Sequence, residues 1–355
     1  MPTDISFLER LLDAAGPSGF EVRAARVWRE EAETFADEVR VDVNGNSFAV
    51  LEGSARPRVM LAGHIDEIGL QITHVDEEGF LFVGEIGGWD PQVLVGQRVR
   101  ILTRDGDVYG VVGKKAVHLM SPEDREKASK TKSLWVDVGA GSRGEVSRLG
   151  VRVGDPMVLA QAFLRLAGDR IASRAIDDRI GAFVVLEALR LLADDRPPQL
   201  VAAVATVQEE IGFSGGGART SAYSLEPDVA LVVDVTFSTD VPDLDKKELG
   251  EHKLGGGPVL TRGSASHDAV FELLAEVAEA EGIPYSIQAA PKSTRTDADG
   301  IHLTRHGVPT AVISVPNRYM HSPNEVVSIE DVLNSARLIA AFVRRLDAKT
   351  DFTPR

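Results

Sequence analysis

The hydrophobic positions in the first 68 residues change from helical to strand spacing. In residues 4–16 the apolar side chains recur every three or four positions, and a second amphipathic segment covers about residues 22–36, so both stretches predict helices. Alternating apolar residues then flank Asn44-Gly45, a dipeptide typical of hairpin turns. The apolar run RVMLAGH, residues 58–64, predicts a short buried strand.

Residues 69–165 have a different pattern. Short alternating runs are separated by turn residues, and the one candidate for a helix is the charged stretch SPEDREKASK, residues 121–130. Many short strands at close spacing predict a β-barrel-like module.

After residue 177, strand-length and helix-length patterns alternate. The predicted strands are at residues 200–208, 228–235, 285–290 and 310–315, and the predicted helices are at 179–194 (amphipathic), 266–282 and 328–347. Gly282 ends the second of these helices and Ser328 is the N-cap of the third. Alternating strands and helices predict an α/β sheet covered on both faces. We therefore expect a discontinuous α/β domain, residues 1–68 and 166–355, interrupted by a β insertion at 69–165.

Composition excludes several function classes. No apolar run approaches the roughly 20 residues of a membrane helix, and the N-terminus lacks the basic and apolar regions of a secretory signal. The formal charge of −15 disfavours nucleic acid and anionic membranes as partners. The chain has no cysteine, which removes disulfides, thiolate metal sites and cysteine nucleophiles. We expect a cytoplasmic protein.

Chemistry-bearing residues follow the predicted buried strands. They are His64, Asp66 and Glu67 after the first, Glu209 and Glu210 after the second, Asp234 and His321 after two others, and Asp177 and Asp178 at the start of a helix. In open α/β sheets, ligands bind beyond the carboxyl ends of the strands. Each residue alone is more often a turn residue, a helix cap or a solvated side chain. Their coincidence in apolar context, where unpaired charge is costly, favours a bound divalent cation.

The donor set consists of imidazole and carboxylate without sulfur, which suits Zn, Co or Mn. Two such ions about 3.5–4 Å apart, sharing a carboxylate and a water, make a hydrolytic site. In an extended backbone, Glu209 and Glu210 would point in opposite directions, so that one could bind metal while the other acts as a base. Gly212 and the glycines at 215–217 would let the chain turn sharply beside the site.

At these residues the sequence resembles the M42 family of metallo-aminopeptidases, relatives of the wider co-catalytic zinc exopeptidases. The matching stretches occur in the family's order along nearly the whole chain: GPSGFE, GHIDEIG, GGW, HLMSPEDR, DVGAGSRGE, VRVGDP, RAIDDRIG, QEEIGFSGG, VVDVT and TDADGIHLTRHGVPTAVISVPNRYMHSPNE. The combination is specific, whereas QEE alone would not be.

The resemblance implies a role for each matching residue. One metal would be held by His64, Asp177 and Asp234, and the second by Asp177, Glu210 and His321. Asp66 would orient His64, and Glu209 would be the general base acting on a metal-bridging water. The implied cofactors are two divalent ions per subunit, zinc first, with cobalt or manganese as alternatives. The implied reaction is removal of N-terminal residues from short peptides.

The resemblance also implies the architecture and the assembly. The fold would be a zinc-exopeptidase-like α/β/α sandwich with a mixed sheet and an inserted PDZ-like β-barrel. The chain would self-associate into a large homo-oligomer, a tetrahedral dodecamer. The segment Arg295, Thr296 and Asp297 would lie near the pocket for the first side chain of the substrate. Arg295 departs from the glycines usual there, and it could accept an acidic residue or point to solvent.

Three alternatives stay open at this point. A metal-dependent deacylase or other amidohydrolase could use the same scaffold. An endoglucanase could use paired carboxylates, although a glycosidase needs no metal. A scaffold or binding protein with a dead site is disfavoured because every candidate ligand is present.

Overall fold

The computed structural model describes residues 5–212 and 216–354. Its strands are β1 Glu38–Val41, β2 Ser47–Leu51, β3 Ala55–His64, β4 Gly69–Val75, β5 Leu81–Ile86, β6 Arg98–Thr103, β7 Gly106–Gly113, β8 Trp135–Asp137, β9 Pro156–Leu159, β10 Leu164–Arg165, β11 Arg170–Ser173, β12 Gln199–Thr206, β13 Val229–Phe237, β14 Val259–Arg262, β15 Ser286–Ala289, β16 Thr310–Asn317 and β17 Glu325–Ser328.

Its α-helices are α1 Ser6–Asp13, α2 Val22–Ala32, α3 Pro91–Leu94, α4 Pro122–Arg125, α5 Arg143–Arg148, α6 Ile176–Ala193, α7 Gly216–Leu225, α8 Lys246–Leu249, α9 Asp268–Glu281, α10 Ala298–Ile301 and α11 Ile329–Arg345. Short 3-10 turns cover Val117–Leu119 and Thr131–Ser133. No helix among the described residues has the length and apolarity needed to cross a bilayer.

The largest sheet is mixed, with the strand order β1-β2-β12-β3-β13-β16-β14-β15. Its four central strands, β12, β3, β13 and β16, are parallel, and β2 and β14 join them in antiparallel pairing. Parallel central strands bring their carboxyl ends to one edge, which is where the candidate site lies.

Helices cover both faces of this sheet, as predicted. Along β3, Val59 and Leu61 join the larger core, which also contains residues of α1, α2, α6, α9 and α11. Met60 and Ala62 join a smaller core with residues of α7 and α10. This alternation is the two-residue period of a strand buried on both sides.

Helix α6 differs from its predicted form. We expected an amphipathic helix, but nearly all of its side chains are buried. The reason is its position: α6 packs on β3, β12 and β13 on one side and on α1 and α11 on the other. Only a stripe in its C-terminal half, which includes Glu187 and Arg190, stays partly exposed, so the rest of the helix surface is buried.

The predicted barrel is present. Strands β4, β5, β8, β7, β6 and β9 close on themselves around their own hydrophobic core. Its strands run from Gly69 to Leu159. Strand β10 pairs instead with β11, in a three-stranded sheet completed by β17. The domain boundary at residue 165 stays a prediction. The short helices α3 and α5 were missed there, because four and six residues are too few to show a helical period.

Two smaller predictions about element ends are confirmed. The Ser328 hydroxyl caps α11 by accepting the backbone N–H of Asp331, and Gly282 ends α9 in the left-handed region. The strands β1 and β2 form the expected hairpin around Asn44-Gly45. Gly215, the first of the three glycines expected to turn beside the site, lies outside the described residues.

Candidate metal centre

The side chains of the candidate centre come from four strands and one helix. His64 is the last residue of β3, and Asp234 lies within β13, three residues before its end. Glu209 and Glu210 follow β12, and His321 follows β16. Asp177 is in the first turn of α6, whose φ/ψ values there are not helical.

These residues form two donor sets that share one member. His64, Asp177 and Asp234 offer ligand atoms that all lie within 4.8 Å of one another, and so do Asp177, Glu210 and His321. Oδ1 of Asp177 lies 3.3 Å from Nε2 of His64, and Oδ2 lies 3.3 Å from Nε2 of His321. One carboxylate therefore stands between two imidazoles with one oxygen turned to each.

Both imidazoles turn the same nitrogen to Asp177. Nδ1 of His321 lies 2.8 Å from the carbonyl oxygen of Gly88, which can only accept a hydrogen bond. Nδ1 of His64 lies 3.2 Å from the backbone oxygen of Asp66 and 3.5 Å from its Oδ1. A proton on Nδ1 leaves Nε2 with a lone pair, which is the state a metal-ligating histidine requires. Gly88 belongs to the inserted barrel segment, between β5 and α3.

The electrostatics of the centre favour added positive charge. Burial opposes protonation of His64, yet the carboxylates around it, Asp66 first, raise its pKa well above the ordinary value. Burial also opposes protonation of His321. Its hydrogen bond to Asp177 nevertheless contributes to raising the pKa of His321 to about 11. Burial and the charge of Asp177 raise the pKa of Asp234 well above the ordinary value. A divalent cation would compensate these buried carboxylates.

The adjacent glutamates do diverge, but not because they lie on a strand. Oε1 of Glu210 lies 3.3 Å from Nε2 of His321, whereas Oε2 of Glu209 lies 3.8 Å from Nε2 of His64. β12 ends at Thr206, before the pair, and Glu210 lies in a turn. Asp66 holds this turn.

The Asp66 carboxylate has contacts that the sequence did not suggest. Its Oδ1 accepts the backbone N–H of Glu209 at 3.2 Å, and its Oδ2 accepts that of Glu210 at 3.1 Å. Since Asp66 is also the neighbour of His64, one carboxylate connects the imidazole to both glutamates. It is fully buried, so these contacts are not exchanged with water.

Two further carboxylates support the centre and were missed or left without a role. Asp178 accepts the backbone N–H of His64 at 3.2 Å and that of Gly181 at 3.0 Å. Glu325, the first residue of β17, accepts the backbone N–H of Asp177 at 3.1 Å and that of His321 at 2.9 Å. The sequence feature that could have pointed to Glu325 is its position directly before two apolar residues of a buried strand.

A buried ion cluster lies behind the centre. Glu67, three residues after His64, binds both Arg174 and Arg179, which flank Asp177 in sequence. The distance from Oε1 of Glu67 to Nη2 of Arg179 is 2.7 Å, and the same oxygen accepts the N–H of Gly16 at 3.0 Å. The cluster ties the loop after β3 to the start of α6.

The segment expected near the substrate borders a cleft beside Glu209. The cleft has a volume of about 600 Å³, and its wall includes Arg295, Thr296 and Asp297. Asp297 is buried and accepts a hydrogen bond from the hydroxyl of Thr206. Burial raises the pKa of Asp297 to about 6. Arg295 is exposed.

Two donor sets that share a carboxylate at the carboxyl ends of parallel strands place the chain among metal-dependent hydrolases. Comparison with known proteins narrows this class. The model of the M42 glutamyl aminopeptidase family matches residues 45–338. A lysyl aminopeptidase of Pyrococcus furiosus is 38% identical over 354 residues, which cover 99% of this chain and 99% of that protein. The chain belongs to the M42 family, and it is an aminopeptidase.

Solved structures agree with the fold. A TET aminopeptidase from a marine sediment archaeon of the Thaumarchaeota aligns with a TM-score of 0.92 at 38% identity, covering 97% of this chain and 96% of that one. The TET1 peptidase of Pyrococcus horikoshii aligns with a TM-score of 0.85 at 31% identity, covering 96% and 99%. That peptidase is described as assembling into a tetrahedron or a large octahedral shell.

Proposed function

We propose that this chain removes N-terminal residues from short peptides with two divalent ions, and that Glu209 is the general base. The observation that carries the proposal is the position of Asp177 between two imidazoles, 3.3 Å from each, with Glu209 in neither donor set. Glu209 borders the cleft instead, where a substrate can reach it.

The residues present fit the two ions. Oε1 of Glu210 is buried and takes no hydrogen bond from the residues that the structure describes, so it has a lone pair to give. We assign His64, Asp177 and Asp234 to one ion, and Asp177, Glu210 and His321 to the other. Imidazole and carboxylate donors suit zinc first, and cobalt or manganese as alternatives. When bound, the ions would polarise the scissile carbonyl and lower the pKa of the attacking water.

The chain's own groups carry the proton through the reaction. The carboxylate of Glu209 takes a proton from the attacking water and delivers it to the nitrogen of the departing amine. Asp66 fixes the backbone of Glu209, so the base keeps its orientation while its charge changes. The carboxylates of the two donor sets would suit the ammonium group at the N-terminus of a peptide.

The test is Glu209→Gln, which keeps the shape of the side chain and removes the base. We expect unchanged metal content and a loss of about 10²–10⁴-fold in kcat on aminoacyl 4-nitroanilides. Glu9→Gln on the exposed side of α1 is the matched control and should behave as wild type. Near wild-type turnover by the Gln variant would remove Glu209 from the base role.

Chelation of the wild type separates the alternative functions. Loss of amide hydrolysis on chelation, restored by zinc, cobalt or manganese, supports the proposal. Metal binding without release from unblocked amides would favour a deacylase acting on acylated substrates. Glucan cleavage that resists chelation would favour an endoglucanase. Absence of metal uptake from all three ions would contradict both donor sets.

We also propose assembly into a tetrahedral homo-oligomer, on the strength of the M42 relatives. A tetrahedral arrangement of identical asymmetric subunits contains twelve copies. Sedimentation of the purified protein tests this, because a dodecamer and a monomer differ twelvefold in mass. The cytoplasmic location and the inserted domain at residues 69–165 remain predictions.

A further inference from the structure

The backbone changes direction between the end of β12 and Glu209. β12 ends at Thr206, and Gln208 has a φ of 63°, in the left-handed region that residues other than glycine seldom adopt. Such a conformation persists only where neighbouring groups hold it. Because Gln208 directly precedes Glu209, the contacts that hold this turn also decide where the carboxylate of Glu209 points.

The side chain of Asn46 lies against this turn. Strand β2 begins at Ser47 and pairs antiparallel with β12, with Ser47 opposite Ala205, so the residue before β2 comes beside the residues after β12. Oδ1 of Asn46 accepts the backbone N–H of Val207 at 3.1 Å. Asn46 is fully buried, so water cannot take over this bond.

The amide of Asn46 is held in one orientation. Its Nδ2 donates to Oδ2 of Asp42 at 2.7 Å and to the hydroxyl oxygen of Thr220, in α7, at 3.1 Å. Two acceptors on one side identify that end of the amide as the nitrogen, and they turn the oxygen toward Val207. A Cβ added to Gly217 would lie 2.0 Å from Oδ1 of Asn46, so the amide has no room to rotate.

Side chains from two distant segments thus hold the backbone on either side of Gln208. Asn46 accepts the N–H of Val207 before it, and Asp66 accepts the N–H of Glu209 after it. The bond from Asn46 is to the backbone and not to the carboxylate of the base. Resting on the role proposed above for Glu209, we propose that Asn46 is a positioning residue, whose amide fixes the turn at Gln208 and thereby aims the carboxylate of Glu209.

The experiment is a double-mutant cycle of Asn46→Ala and Glu209→Gln, with aminoacyl 4-nitroanilides at saturating zinc. Asn46→Ala should lower kcat by about 10–100-fold, as a misplacement of about 1 Å does, and should change KM by less than about twofold. In the Glu209→Gln background the same substitution should change kcat by less than about twofold, because the carboxylate that Asn46 aims is already gone. A residue with only a structural role would lower kcat by the same factor in both backgrounds.

Asn44→Ala is the matched control. Asn44 lies in the same hairpin turn and donates to the same hydroxyl of Thr220 at 2.9 Å, but it is exposed, and Val207 donates to Asn46 instead. Its kcat should equal that of the wild type. Asn46→Ser serves where Asn46→Ala does not fold, because its hydroxyl can still donate to Asp42 but is too short to reach Val207.

The outcomes separate this proposal from the proposed function. A folded Asn46→Ala or Asn46→Ser with wild-type kcat would overturn the positioning role and leave Glu209 as the base. An equal loss of kcat in both backgrounds, or from Asn44→Ala, would do the same. Near wild-type turnover by Glu209→Gln alone would instead overturn the base role, and the positioning role with it.

Discussion

Replacing Glu67 with Gln removes the negative charge that Arg174 and Arg179 share in the interior. The carboxylate is 2% exposed and the two arginines are 4% and 0% exposed, so water cannot replace it. Gln keeps one acceptor oxygen for Arg179 or Gly16 but offers an N–H₂ group where the second oxygen stood. The variant therefore leaves two buried cations with no counter-ion.

Breaking a buried ion pair by removing one partner costs about 3–5 kcal/mol. The unfolding entropy of a 355-residue chain is on the order of 0.75 kcal/mol/K at about 2.1 cal/mol/K per residue. The midpoint of thermal unfolding should therefore fall by about 4–7 °C. Because the cluster connects the loop after β3 to Asp177, we also expect weaker metal binding.

Glu31→Gln is a closely matched control. Glu31 also lies between two arginines, Arg10 and Arg190, at 2.7 Å from each, but its side chain is 19% exposed and those of the arginines are 56% and 33% exposed. Exposed pairs contribute about 0–1 kcal/mol, so its midpoint should fall by no more than about 1–2 °C. Calorimetry of the three proteins in one buffer makes the comparison. Equal midpoints for the two variants would refute the argument that burial sets the cost.

The difference in stability between the wild type and Glu67→Gln should depend on pH. Arg174 and Arg179 hold the pKa of Glu67 below its usual value of 4.5 although burial opposes this. A group whose pKa is lowered by folding contributes stability above the unfolded pKa and loses it as the pH falls through the folded one. The gap in midpoint between wild type and Glu67→Gln should be complete at pH 7 and should shrink below about pH 4.5.

Two further substitutions test the support of the centre. Glu325→Gln should weaken metal affinity by about tenfold, because one of the two backbone N–H groups that bond to Glu325 loses its acceptor. Equal affinity of the variant and the wild type in a zinc titration would contradict this. Gly63→Ala should destabilise the chain by about 1–3 kcal/mol in urea unfolding, because the new Cβ would lie 2.7 Å from the backbone nitrogen of Ala182 in α6. Gly144→Ala, whose new Cβ would lie 3.9 Å from Oγ of Ser142, is the control, and a similar loss in both would refute the steric reason.

The parts of the fold that the sequence predicted are those with a local signal. The apolar runs of β3, β12, β13 and β16 are long enough to be recognised, and the polar residues that follow or end them meet because parallel strands end at one edge. Strand β17 and helix α10 have four residues each and no period, so they escaped prediction.

The site shows the same division. Residue types at the strand ends indicated a divalent-cation site, and the division into two donor sets came from the resemblance to the M42 family. The support behind them could not be predicted, because it depends on which distant segments meet: Glu67 with Arg174 lies 107 residues apart, and Asp177 with Glu325 lies 148 apart. The support of Glu209 and Glu210 could not be predicted either, because a single sequence does not reveal that Asp66 accepts both of their backbone N–H groups.

The carbonyl of Gly88 connects the inserted barrel to the candidate metal centre. It fixes the ring of His321, although 233 residues separate the two in sequence. The barrel is therefore not a detachable module that could be lost, or exchanged with that of a relative, at no cost to the rest of the chain. Any recombination between homologues at this insertion has to preserve the loop that carries Gly88, so the two parts are bound to be inherited together.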